Sequence, residues 1–209
     1  MTLDHHNTDS DAILRLLRLA ASIADADDDK IRRECQAVLT GSVPTLWVEE
    51  LLLQSLLMVG WPATLNAAAV WRGQAGPLTD TADQLDRSPD TGETRRLGEA
   101  TCQIIYGRNY SQLRKNVAAL HPLLDDWMIR DGYGKTLSRP GLSLKLRELC
   151  TVAQCAVLGA RRQLHSHLKG ALNAGASHDE IMVALAAAKE FQDPESVEST
   201  LELWQRIIG

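Results

Sequence analysis

Glu148 and His167 are the residues whose types and spacing best fit proton chemistry. After Arg147-Glu148 the chain carries no charged residue until Arg161, so most of the circumference of a helix over this stretch must be buried, and Glu148 is the last carboxylate before it. His167 stands in line with Leu164 and Ala171, at i−3 and i+4, which puts it on an apolar helix face. His165 is turned about 200° around the axis, among Arg161, Arg162 and Lys169. A histidine titrates near neutral pH, and a carboxylate beside it selects its tautomer or keeps it charged. Together they form a candidate acid–base pair. The competing reading is a structural histidine, satisfied by a backbone carbonyl.

The elements that must hold this pair are well punctuated. Arg139-Pro140-Gly141 is a turn, and Ser143 is an N-cap for a helix lasting to Leu158. A second helix runs from Arg161 to Asn173 and stops at Gly175. Ser177, with Glu180 three residues later, is a capping box that opens a third. Measured from the turn at Gly159 and Ala160, Glu148 lies about 15 Å along one helix and His167 about 9 to 10 Å along the next, at 1.5 Å per residue. In an ideal hairpin the two miss by about one turn, so a direct bond is expected to need a kink, a bridging water or a neighbouring subunit.

Arg147-Glu148-Leu149, His167-Leu168, Ala171 to Ser177 and Glu180-Ile181, preceded by Tyr106-Gly107, Trp127, Gly134 and Ser138 to Leu142, resemble the carboxymuconolactone decarboxylase family and its alkyl hydroperoxidase relatives. The resemblance covers roughly residues 97 to 209. It implies cofactor-free decarboxylation of a small carboxylated lactone, with His167 as acid–base group and Glu148 as its orienting partner. Losing carbon dioxide beside a lactone carbonyl leaves a dienolate, which needs stabilisation and then a proton. The substrate's carboxylates call for a cation, for which Arg139, Arg147 and Lys135 are candidates, and Tyr106 and Tyr133 offer hydroxyls to a pocket. The hydroperoxidase branch places a Cys-x-x-Cys pair where this chain has Ala160 and Gln163, so a disulfide relay is not expected. A thiol-dependent antioxidant using Cys155 or Cys150 is the second reading, and a non-catalytic scaffold is the third.

The N-terminal third reads as helices over 10 to 24, 28 to 39, Thr45 to Val59 and Ala63 to Arg72. In it Gly41, Glu49-Glu50-Leu51, Pro62 and Trp71 follow one another as Gly175, Asp179-Glu180-Ile181, Pro194 and Trp204 do later. The expected fold is all-α, an AhpD-like helical bundle built from two copies of a helical unit. Residues 1–75 are the degenerate first copy, 76–94 a loop or linker, and 95–209 the decarboxylase-like domain, with further helices over Arg95 to Tyr106, Tyr110 to Leu120 and Pro122 to Gly132. The slots of Glu148 and His167 fall in the first copy near Leu14 and on Arg33, so one site per chain is expected.

Composition narrows the partners. Of 209 residues 44% are hydrophobic but only 4% aromatic, which favours closely packed Leu/Ala helices. With a net charge of −5 and no basic block, nucleic acid is not expected as a partner. No membrane span is expected. The first residues lack a positive segment followed by an apolar one, and a cytoplasmic location is expected. The four cysteines have neither redox nor zinc spacing and read as reduced, buried thiols, with no metal or cofactor implied. A small-molecule substrate is expected, and, because single-copy relatives cover their apolar faces by association, a homo-oligomer (dimer, trimer or hexamer). The five tryptophans read as core or interface anchors.

Overall fold

The computed structural model describes residues 3–77 and 91–209, and within them the protein is all-α. Most of the expected linker, residues 78–90, lies outside the described residues. The chain begins with α1 (Leu3–Asp25), longer than its expected start at residue 10, followed by α2 (Asp28–Thr40) and α3 (Thr45–Ala75). Asp27 caps α2, its side chain accepting from the backbone amides of Asp29 and Lys30, which gives part of the acidic run a local purpose. α3 unites the two expected helices as arms meeting at Gly60, whose φ of 71° breaks the helical path just before Pro62. By length and composition α3 could cross a membrane. Here its Val48, Leu51, Leu52, Ala67, Val70 and Trp71 are buried in the core.

α4 (Thr91–Tyr106) starts four residues earlier than expected. A 3-10 turn, α5 (Tyr110–Leu120) and the short α6 (Pro122–Trp127) follow. The expected helix to Gly132 is then corrected: from Met128 to Leu137 the chain is π-helical. Close approach to α4 accompanies the wider coil. A Cβ on Gly98 would stand 2.0 Å from the Ile129 carbonyl oxygen, and one on Gly134 would stand 2.1 Å from that of Thr94. Only glycine lets these two backbones touch.

α7 (Leu144–Val157), α8 (Arg161–Asn173), α9 (His178–Lys189) and α10 (Pro194–Ile208) complete the fold. Their punctuation is as expected. Ser143 caps α7, the chain turns left-handed at Gly159 and again at Gly175, and the Ser177–Glu180 capping box opens α9. One large apolar core joins α1–α3 to α7–α10, with α1 packed along α7 and α9. A smaller cluster of Cys102, Ile105, Ile129, Tyr133 and Leu137 roofs one side of α7 and α8. Trp71 and Trp204 are core anchors as expected, whereas Trp61 and Trp127 are exposed.

Candidate active site

α7 is buried nearly all round, as its uncharged run requires, and its two charged neighbours Arg147 and Glu148 are both completely buried. Successive helical residues point about 100° apart, so the two enter different environments.

Glu148 turns toward α8, where its Oε2 lies 2.9 Å from His167 Nδ1. The direct bond forms without a kink, water or second subunit, which corrects the expectation drawn from an ideal hairpin. The one-turn offset is nevertheless real. Glu148 lies opposite Gly170, one turn beyond His167, and a Cβ there would sit 2.4 Å from Glu148 Oε2. The missing side chain lets the carboxylate lie against the α8 backbone, within reach of the imidazole. Gly170 is thus a positioning residue that pattern reading missed.

The other carboxylate oxygen, Glu148 Oε1, is buried without a hydrogen-bond partner among the described residues. A carboxylate only accepts, so toward one His167 would donate from Nδ1, with Nε2 as its second ring nitrogen. His167 lines a cavity of about 560 Å³. Its wall is apolar (Leu57, Met58, Trp127 and Leu137) with polar groups from Gln54, Thr151, Tyr133 and Asp131. Gln54 and Met58 come from the N-terminal third, a contribution that no spacing within residues 97–209 signals.

Tyr133 reaches this cavity, and its hydroxyl donates to that of Tyr106 at 3.3 Å, the rings meeting edge to face. Tyr106 faces a second cavity on the other side of the contact. Burial pushes the phenol of Tyr106 up to about 12 and that of Tyr133 well above its ordinary value, so both are neutral donors near pH 7.

Arg139 and Arg147 do not line the His167 cavity. Arg147 spends Nη2 on Glu50 Oε2 at 2.6 Å, Nε on the Leu142 carbonyl at 3.1 Å and Nη1 on Gln54 Oε1 at 3.3 Å. Arg139 holds the same carboxylate, its Nε and Nη2 each 3.1 Å from Glu50 oxygens. In place of the expected hold on substrate, the two clamp α3 to the turn before α7. Lys135 is exposed at the end of the π-helical segment.

Cys155 is buried, its Sγ 3.7 Å from Met58 Sδ, and burial followed by the charge of Glu148 pushes its thiol up to about 12. Burial does the same to Cys150, with Arg147 opposing. Both are thiols rather than thiolates at neutral pH.

These features define an all-α protein in which a buried carboxylate and an imidazole meet at the wall of a largely apolar cavity. Residues 125–205, which contain both Glu148 and His167, match the carboxymuconolactone decarboxylase family. Over 185 residues the chain is 26% identical to a protein named Peroxisomal protein 2 from Schizosaccharomyces pombe, covering 85% of this chain and 86% of that one. It is also 26% identical over 83 residues to a 4-carboxymuconolactone decarboxylase from Acinetobacter baylyi, covering 40% of this chain and 62% of that protein.

Proposed function

We propose that the protein is a cofactor-free lyase that decarboxylates a small carboxylated lactone, with His167 as acid–base group and Glu148 as its positioning residue. The observation that carries this reading is the 2.9 Å Nδ1–Oε2 contact, made by a fully buried carboxylate to a histidine on a cavity wall. In the reaction, the bond to the departing carboxyl carbon breaks and its electron pair enters the conjugated lactone as a dienolate. Carbon dioxide leaves, Nε2–H of the imidazolium gives its proton to the carbon that gains hydrogen, and solvent restores the proton. Glu148 holds Nδ1–H throughout the cycle, which keeps Nε2 turned toward the substrate. The apolar wall disfavours a concentrated carboxylate charge more than a delocalised dienolate, which helps the bond to break. Tyr133 is the neutral hydroxyl placed to meet the substrate.

The thiol route is disfavoured, because the attacking species is the thiolate and burial opposes its formation at both Cys155 and Cys150. The test is the ultraviolet absorbance of a muconolactone-type substrate. Loss of signal with the wild type, abolished in a folded His167→Ala variant, is the expected result. Turnover unchanged in that variant would refute it.

We also read residues 1–75 as a first copy whose task is packing, since α1 lies along α7 as one copy covering the other. Exposed Leu124 and Trp127, which line the His167 cavity, support self-association at its mouth. Light scattering that finds only monomer would dispose of that point.

A further inference from the structure

The second cavity, about 680 Å³, lies between the 3-10 turn Gly107–Asn109 with α5 on one side and α8 on the other. Its lining differs in kind from that of the His167 cavity. Arg108 and Lys169 face it together with His165 and the amides of Gln112, Asn116 and Asn173, and among the described residues no Asp or Glu lines it. No ion pair ties either cation to a carboxylate among the described residues, although most arginines of this acidic protein are so tied. Asn173 donates to the Ile105 carbonyl at 2.7 Å and pins α8 to the end of α4, which fixes the two sides of the groove relative to each other. Burial, then the charge of Lys169, pulls His165 below its ordinary value, leaving a neutral imidazole that donates or accepts at pH 7.

We propose that this groove is a binding site for a small-molecule oxyanion, a carboxylate or a phosphate, held by Arg108 and Lys169 and separated from the His167 cavity by the Tyr106–Tyr133 contact. Two cations, with amide hydrogens left over after Gln112 donates to Asn116 at 2.7 Å and Asn173 to Ile105, and with no carboxylate of the described residues competing, suit an oxygen-rich anion. In a chain of net charge −5, a local positive groove also concentrates such anions against the general repulsion. The site stands apart from the proposed lyase reaction, since it needs neither Glu148 nor His167.

Calorimetric titration of the full chain with inorganic phosphate and, separately, with citrate tests it, alongside the double variant Arg108→Ala/Lys169→Ala and the single variant His167→Ala. Both arginine and lysine are exposed, so the double variant is expected to fold, which circular dichroism checks. The expected result is saturable binding of at least one probe, weakened about tenfold or more in the double variant, which removes both charged donors. Binding is expected unchanged in His167→Ala. Preference between the probes identifies the head group as phosphate or carboxylate. Failure of both probes to bind, or equal binding by the folded double variant, overturns the proposal. A lyase reaction that fails while the anion still binds separates the two readings.

Discussion

Glu50 and Glu148 are both wholly buried carboxylates, and α7 supplies a partner to one and the backbone of the other. Glu50 is enclosed by Arg139 and Arg147 on both oxygens. Glu148 has one imidazole on Oε2 and, among the described residues, no hydrogen-bond partner on Oε1. A buried charge is costly, and the Glu50 cluster is compensated as a scaffold must be. The half-satisfied Glu148 differs from Glu50 in its partners and not in its burial, and it is this difference that the proposed reaction uses. Two equally buried carboxylates are told apart by how completely they are partnered: the compensated one suits a scaffold, the half-satisfied one suits the proposed chemistry.

The largest expected effect comes from breaking the compensated side. Arg147→Ala strands Glu50 against Arg139 alone and is expected to cost about 3–5 kcal/mol of stability, read from urea unfolding. A loss below about 1 kcal/mol would erase the contrast. Glu148→Gln is expected to do the reverse, lowering the proposed decarboxylation by about 100-fold, the lower range for a positioned acid–base group, with a stability change within about 1 kcal/mol. Equal damage to folding would put Glu148 in the class of Glu50.

Gly170→Ala sharpens the comparison by moving one carboxylate and not the other. The new methyl would meet Glu148 Oε2 and Ile105 Cγ2, so a stability loss of about 1–3 kcal/mol is expected together with reduced activity. Wild-type stability with wild-type rates would show that the carboxylate does not need that space.

The smallest effect concerns alkaline pH. The thiols of Cys35, Cys102, Cys150 and Cys155 are each pushed up to about 12, mainly by burial, from an unfolded value near 9. The folded chain then holds protons that the unfolded chain has lost, so stability is complete below about pH 9 and declines as pH rises toward 12. Urea midpoints measured across that window should fall, and less so after Cys150→Ala. A flat profile would mean that the thiols are better solvated than their burial indicates.

The local marks of the C-terminal helices were legible because caps act over three or four residues: Ser143, Gly159, Gly175 and the Ser177–Glu180 box stand where side-chain chemistry puts them. The Glu148–His167 pairing was legible through motif spacing, but the ideal-rod estimate denied it a direct bond because it treated Gly170 as a helix residue like any other. Arg147 read as a substrate cation because its partner, Glu50, is 97 residues away in sequence. Nothing local in Gln54 or Met58 marks them as cavity wall. The π-helical turn escaped notice for a similar reason, since Gly98 and Gly134 gain their meaning only where α4 crosses the segment.

The most direct test of the central claim is the nitrogen NMR of the His167 ring in its neutral form. Donation from Nδ1 to an ionised Glu148 requires Nδ1 to carry the hydrogen and Nε2 to stand bare, with the preference lost in Glu148→Gln. A ring protonated on Nε2, with Nδ1 accepting from a neutral Glu148 carboxyl, would contradict it.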